Sequence, residues 1–506
     1  MLLVEPWVLL NNAFVQNHQK WQAWIHMLGT LADVVMLGGL LFLGERMMAR
    51  WRGLRSFRGF ALLLLALAVL RSLAETLRYL GLPTLEWHPP HASHLLVAGL
   101  AVLALIATYA LGRWRSLTRF IANFFLGLSL MLLFNVGNLT YAAMTEPKRP
   151  YSDLQPAPTN KDTPGPRVVW ILFDTLDYHY TFDERPGWLK LPEFDRWLNT
   201  TVRCEDARSP GPRTEISIPS LLTGRLYVDQ QATKPNDFDM TRLDGGHESL
   251  RAQRTVFADA EAIGARTALL GFHIPYGRIM GEQLSYCRWW QWPNQFGSEE
   301  SWPEDTMRQF VFLGSSNQQF ESMAERRIAN HIAEVDSGLK LACDPSYRLV
   351  FIHLFPPHPG GIYNAKTHRF NLDMGADPEE YQHSLGLADA TLREIREAME
   401  RAGTWSNTLV LVSADHSWRS AVDYGKPVYL RIPFFAHFPG QSTAVSIPET
   451  TNTLWTHDLV LAYLRGQVAS PAAMAAWVAN WTHAHPEVPM VDDPRHAENN
   501  IRDRER

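Results

Sequence analysis

Cysteine is scarce in this chain of 506 residues: Cys204, Cys287 and Cys343 are its only three. They lack the short paired spacing of a structural zinc site. In an oxidising compartment they allow one disulfide and one free thiol, and the sequence does not say which two would pair. Basic charge is not in excess either. Lys and Arg number 47 against 52 Asp and Glu, a formal net charge of -5, and no basic stripe of the kind a nucleic acid needs is present. The first twenty residues have neither a basic start nor an apolar core with a cleavage site, so no cleavable signal peptide is expected. No internal repeat and no low-complexity run occurs.

What is present falls into two unlike parts. Residues 1–145 are rich in Leu, Ala and Phe, and four apolar segments are expected to span a bilayer, at about 24–43, 60–80, 95–111 and 120–142. Each approaches the roughly 20 residues that a helix needs to cross the hydrocarbon. The second segment is the shortest in apolar core, since Arg71, Glu75 and Arg78 follow it; it reads as a long helix emerging into the headgroups, with a polar feature facing a lipid as the alternative. Arg46, Arg50, Arg52, Arg55 and Arg58 fill the first loop and Arg113, Arg115 and Arg119 the third, whereas the second loop has no Lys or Arg. The positive-inside bias then puts both termini outside, and in a bacterium the larger second part becomes periplasmic or extracellular. Residues 146–166 are rich in proline and polar side chains and read as an extended linker.

The outward part alternates strand and helix patterns. Val168 to Phe173 reads as a buried central strand with Asp174 at its carboxyl end, where open α/β sheets place their ligands. Strands are expected at Arg266 to Gly271, leading into His273, at Leu349 to Phe355, and at Thr408 to Ser413, leading into Asp415 and His416. Helices are expected to close at Glu261 to Gly264 and to run from Tyr381 to Gly403. This alternation predicts a mostly parallel sheet covered by helices on both faces. Trp289, Trp290 and Trp292 read as core packing, with an aromatic patch toward lipid or acceptor as the alternative. After Gly466 come a small helix, Ala472 to Trp481, and a charged tail for which disorder is the default.

The segment Arg213 to Arg225, RTEISIPSLLTGR, reads as a turn into a helix with Pro219 in the first turn and Gly224 past the end. Its Thr214 gains meaning beside Asp174, Asp415 and His416. Two carboxylates, an imidazole and a hydroxyl suit one divalent cation that activates the threonine oxygen.

These segments, in this order over residues 167–466, resemble the alkaline phosphatase and sulfatase superfamily. The nearest resemblance is to the membrane-bound phosphoethanolamine transferases and the lipoteichoic acid synthases. Thr214 lies seven residues before the LLTGR motif, where sulfatases carry their nucleophile, and five before Pro219, as in the transferases. Asp415 and His416 in VSADHS match the closing Asp-His pair, and Asp174 the acid after the first strand. His353 and His358 in HLFPPHPGGIY, with Tyr363, match a two-histidine segment of the transferases.

The resemblance implies an N-terminal transmembrane bundle of four spans joined to an alkaline-phosphatase-like α/β domain. It implies one divalent metal, zinc first with Mn2+, Mg2+ or Ca2+ as alternatives, held by Asp174, Thr214, Asp415 and His416. Thr214 would be the nucleophile, with His358 and His353 at the reacting group. His273, Tyr363, Arg213 and Glu215, together with His358, would bind substrate. The implied activity moves a phospholipid headgroup, phosphoethanolamine or phosphoglycerol, onto an envelope glycan or lipid at the bacterial inner membrane. A metal-dependent phosphodiesterase or phosphatase is the first alternative, and a non-catalytic membrane binding protein the second.

Departures narrow this. Threonine cannot form the aldehyde hydrate on which sulfatases depend, and Ile218 stands where they carry an arginine. Asp174 is followed by Thr175, not by a second Asp. The transferases' further histidine falls on Leu430, so its role is vacant or passes to Arg431 or His437.

Overall fold

The computed structural model describes residues 165–489 apart from 235–236, 291–302, 304–315, 373–374 and 376, together with a scattering of helical positions between 28 and 144. The chain divides into two compact units, one comprising Met1–Val15, Trp21–Lys148 and Phe296–Ser316, the other Gln16–Lys20, Arg149–Gln295 and Asn317–Arg506. Apart from those scattered positions, the four expected spans lie outside the described residues. So do the linker before residue 165, Trp292 and the tail from residue 490. Among the described residues no helix is long and apolar enough to cross a membrane.

The second unit is built on a nine-stranded sheet. Its strands in chain order are β1 (Arg167–Asp174) and β2 (Val202–Arg208), then, after three strands of a separate sheet, β6 to β8 and β11 to β14. The separate antiparallel sheet holds β3 (Tyr227–Lys234), β4 (Asp237–Arg242) and β5 (His247–Ser249). The main sheet continues with β6 (Thr267–Phe272), β7 (Tyr286–Trp290) and β8 (Leu349–Pro357). A small hairpin of β9 (Tyr363–Asn364) and β10 (Arg369–Phe370) follows, then β11 (Thr408–Ala414), β12 (Arg431–Ile432), β13 (Phe434–His437) and β14 (Val445–Asn452).

β7, β6, β8, β1 and β11 run parallel to one another in that spatial order. β13 lies antiparallel between β11 and β2, which β12 also joins, and β14 pairs parallel with β2. The mostly parallel sheet is thus as expected, with an antiparallel flank that the sequence did not disclose. β1 shows why the centre was legible. All eight of its residues are buried, so both faces are covered and the strand reads as one apolar run.

Helices in chain order are α1 (Pro192–Thr200), α2 (Thr214–Thr223), α3 (Val256–Ala262), α4 (Tyr276–Ile279), α5 (Ser316–Cys343), α6 (Pro378–Arg401), α7 (Thr456–Leu464) and α8 (Pro471–Ala484). α6 starts on an Asp377 cap, whose side chain accepts from the amides of Glu379 and Glu380, followed by Pro378 at its first position. Arg167 is buried at the amino end of β1. Its guanidinium donates to the carbonyls of Leu341 and Ala342 in the last turn of α5, where carbonyls lack helical partners.

Two expectations about α2 separate here. Gly224 adopts the left-handed conformation, φ 65°, and caps the helix as read from sequence. Pro219, however, is the sixth residue of the helix and not in its first turn. The helix passes through it because residues 216–223 are all buried and tertiary packing outweighs local preference. The three cysteines are free thiols, so the disulfide allowed by the sequence is not formed. Trp289 is a core residue, and Trp290 is half-buried beneath the guanidinium of Arg288.

Candidate active site

Parallel register brings the chemistry together at one end of the sheet. Leu172 of β1 aligns with His353 of β8 on one side and with Ser413 of β11 on the other. Asp174 ends β1, where the pairing with β8 shifts to set it beside Pro357, and Asp415 follows the last residue of β11. Asp174, His353 and Asp415 are all buried, and each offers a ligand atom within 4.8 Å of the others'.

α2 carries the fourth group in. Arg213 is extended at its start, and Thr214, the first helical residue, donates its hydroxyl to Asp415 Oδ2 at 2.7 Å. Thr214 Oγ1 also lies 3.4 Å from His416 Nε2. Ser217, one turn on, donates to the Asp415 carbonyl at 2.5 Å and fastens the helix to the end of β11. His416 Nδ1 meets the Ser417 carbonyl at 2.8 Å. A carbonyl only accepts, so Nδ1 carries the proton and the Nε2 lone pair faces Asp415 Oδ2 at 3.5 Å and Asp174 Oδ1 at 3.9 Å.

Electrostatics fit a cation here. Burial raises the Asp174 pKa well above the carboxylate range, and the neighbouring Asp415 raises it further. Burial acts on Asp415 in the same sense but is outweighed by His416, His353, the Thr175 amide and the Thr214 hydroxyl, so its pKa falls below the ordinary value. Two carboxylates this deeply buried do not both ionise without a positive partner. His353 is pressed down to about 4 by burial and is neutral at pH 7, with an Nε2 that has no hydrogen-bond partner. Two carboxylates and neutral imidazoles are the donor set of zinc or manganese.

Two residues to which the sequence assigned no role hold this arrangement. Thr175 has φ 66°, rare for a β-branched residue, and strain of that kind clusters at functional sites. Its amide donates to Asp415 Oδ1 at 2.9 Å and its hydroxyl to Asp174 Oδ1 at 2.7 Å, so one residue fixes both acids. Tyr381 of α6 donates to the Thr175 carbonyl and accepts from the Asp177 amide. Asp177 in turn accepts from the amide of Trp418, tying the loop after β1 to the loop after β11. The second is Tyr276, whose hydroxyl meets His353 Nδ1 at 2.9 Å. A φ sign is invisible in sequence, and a tyrosine 77 positions from its partner carries no local signal.

The remaining expected residues are spread around this centre. Glu215 and His273, both assigned to substrate, face one another with Oε1 to Nε2 at 2.8 Å, and His273 is held at φ 68°. Arg213 is ion-paired with Asp229 of β3 at 2.7 Å. His358 gives its Nδ1–H to the Pro359 carbonyl, and burial presses its pKa down to about 3. Tyr363 packs with Phe272, Phe355, Ile362 and Leu387, its hydroxyl 3.4 Å from His368. Among the described residues Tyr363 makes no hydrogen bond to the Thr214 cluster.

Of the two candidates for the missing transferase histidine, His437 is ruled out. It pairs with Val410 and stacks on Trp405 at 4.4 Å, five residues below Asp415 on β11, or roughly 16 Å along the strand. Leu430 and Arg431 instead line a cavity of about 460 Å3 with His179, Asp183, Glu205, Asp206, Arg208, Val428 and Tyr429.

The Sulfatase family model matches residues 166–464. Solved structures similar to this chain include three from different sources. A sulfatase from Pseudoalteromonas sp. is 15% identical, with 60% of this chain and 68% of that one covered at a TM-score of 0.40. A phosphonate monoester hydrolase from Silicibacter pomeroyi is 13% identical, with 59% and 73% covered at 0.38. Murine ectonucleotide pyrophosphatase/phosphodiesterase 5 is 11% identical, with 59% and 95% covered at 0.37. No curated protein gives a significant match.

Proposed function

The chain belongs to the sulfatase family, enzymes of the alkaline phosphatase superfamily, and from that premise we propose that it transfers a phospholipid headgroup through a phosphothreonine on Thr214. The observation that carries this reading is the Thr214 hydroxyl donating to the buried Asp415 at 2.7 Å, with His416 Nε2 alongside. Threonine as the nucleophile speaks against sulfate-ester hydrolysis and for phosphoryl chemistry. The four apolar segments within residues 1–145 support a multi-pass protein of the bacterial inner membrane, its catalytic domain periplasmic or extracellular, where a lipid donor is met at the bilayer surface.

Asp174, Asp415 and His416 would hold the divalent cation, zinc first. When bound, the cation lowers the pKa of the threonine hydroxyl and offsets charge on the phosphoryl oxygens. The chain's own groups do the rest. Thr214 Oγ1 loses its proton toward Asp415 and forms a bond to phosphorus as the bond to the diacylglycerol oxygen breaks. The diacylglycerol oxygen leaves with the proton that Thr214 gave up to Asp415. His358, neutral and with its Nδ1–H held by the Pro359 carbonyl, is the group we assign to accept the proton of the incoming hydroxyl at Nε2 and return it to Thr214. An acceptor hydroxyl then forms a bond to phosphorus, the bond to Thr214 breaks, and the threonine recovers its proton. A phosphodiesterase shares the first half and hands the group to water.

Mass spectrometry of the tryptic peptide that begins at Thr214, after incubation with phosphatidylethanolamine, tests this. The expected result is an adduct of the mass of phosphoethanolamine, chased off by an acceptor glycan. Release of the free headgroup without any acceptor favours the phosphodiesterase. Thr214→Ala is expected to lose the adduct and to lower turnover by at least about a thousandfold. Turnover that persists in that variant removes the covalent reading.

A further inference from the structure

His353 and His416 approach the same carboxylates but are held by different partners. A carbonyl fixes the tautomer of His416, as above. His353 meets a hydroxyl, which donates as readily as it accepts, and has the Phe272 carbonyl, which can only accept, beside its ring. If Tyr276 donated, Nε2 would carry the proton, and a fully buried N–H beside Asp174 and Asp415 would be bonded to one of them. Nε2 has no such partner. An unprotonated Nε2, with its lone pair directed among the acids, accounts for that arrangement.

The fold makes room for the contact. Leu270 of β6 aligns with Ile352 of β8, so Gly271 is the residue beside His353. A Cβ on Gly271 would run into the Tyr276 ring, so the glycine is what lets the tyrosine lean over the strand to Nδ1. Tyr276 opens α4 immediately after β6 and is fully buried, which leaves its hydroxyl no exchange with solvent.

We propose that Tyr276 is a positioning residue: its hydroxyl accepts the Nδ1–H of His353 and fixes the tautomer whose Nε2 joins Asp174, Asp415 and His416 as a further ligand of the divalent cation. The inference rests on the metal-binding part of the reading above and not on the group transferred.

Zinc titration of the full chain against a chromophoric chelator reads it directly. Tyr276→Phe is expected to weaken zinc binding by about 10- to 100-fold. In a His353→Ala background the same change is expected to be silent, because it acts through the histidine. A tyrosine that served packing alone would lower the melting temperature of the metal-free protein and leave zinc affinity unmoved. X-ray absorption at the zinc edge of the loaded unsubstituted protein needs no variant to fold, and is expected to show two imidazoles. Unchanged affinity in Tyr276→Phe, an equal loss without His353, or a single imidazole at the zinc overturns the proposal. A chain that binds zinc in this way yet transfers no headgroup removes the functional reading and leaves this inference standing; a chain that binds no zinc removes both.

Discussion

Two groups of charged residues, one at the carboxyl ends of β1 and β11 and one along β2 and β12, are balanced in opposite ways. Around β2 and β12 each acid has a cation: Asp206 meets Arg208 at 2.7 Å, and Glu205 meets Arg203 at 2.9 Å and Arg431 at 3.7 Å. Around β1 and β11, Asp174 and Asp415 are buried and form no ion pair with a lysine or arginine among the described residues; His416 is their one ion-pair neighbour. The outer group is complete as it stands. The inner group sets two carboxylates against His416 and the longer-range field of Arg419. Two buried carboxylates beside imidazoles, with no lysine or arginine paired to them, and not the number of charges, mark the candidate centre.

Removing one acid from the inner group is expected to have the largest effect. Asp415→Asn keeps the shape and the acceptor for the Thr175 amide but loses an anionic oxygen, the partner of the Thr214 hydroxyl. Zinc binding is expected to fail and turnover to drop by at least about a thousandfold. A chelator titration beside a turnover assay checks both. Retention of zinc affinity in this variant would break the contrast with the outer group.

A third acid sharpens the comparison, because among the described residues it is buried with neither a metal-ligand cluster nor an ion-paired arginine. Asp389 of α6 accepts from the Phe194 amide at 2.8 Å, and burial raises its pKa to about 7, against the pull of that hydrogen bond. The folded protein therefore keeps a proton that the unfolded chain releases near pH 4. The associated stability is fully present below that pH and is lost as pH rises through 7. Asp389→Asn preserves the acceptor and cannot ionise. It is expected to match the unsubstituted protein at pH 4 and to exceed it above pH 7 by an amount on the order of 1–4 kcal/mol. Melting temperatures measured from pH 4 to 8 would show the divergence, and parallel curves would refute it.

The same contrast governs what the sequence made legible. β1, β8 and β11 are covered on both faces and read as apolar runs, so their chemical ends at Asp174, Asp415 and His416 could be located. β2, VRCEDAR, alternates buried and half-buried residues and carries the outer ion pairs, so it resembled a polar connection. The antiparallel sheet of β3, β4 and β5 was hidden for the same reason, because its strands are largely polar. Thr214 was legible through its spacing from LLTGR and Pro219. Thr175 and Tyr276 were not, since their roles lie in a backbone angle and in a contact made across strands. His437 was misplaced because chain proximity to Pro433 does not say which end of β13 it occupies.

The smallest effect belongs to the outer group. Asp206 accepts from Arg208 at 2.7 Å and from Thr450 at 2.8 Å, bonds that outweigh burial and hold its pKa below the ordinary value. Both members of the pair are partly open to water, which screens them and competes for their bonds. Asp206→Asn retains an acceptor for Thr450 and leaves Arg208 near solvent. Its cost in stability is therefore expected to stay below about 1 kcal/mol, with zinc affinity unchanged. Chemical denaturation together with the same zinc titration measures both quantities. A tenfold weakening of zinc binding would mean that the two groups form one electrostatic unit, because a self-neutralised pair has no field to project onto Asp174.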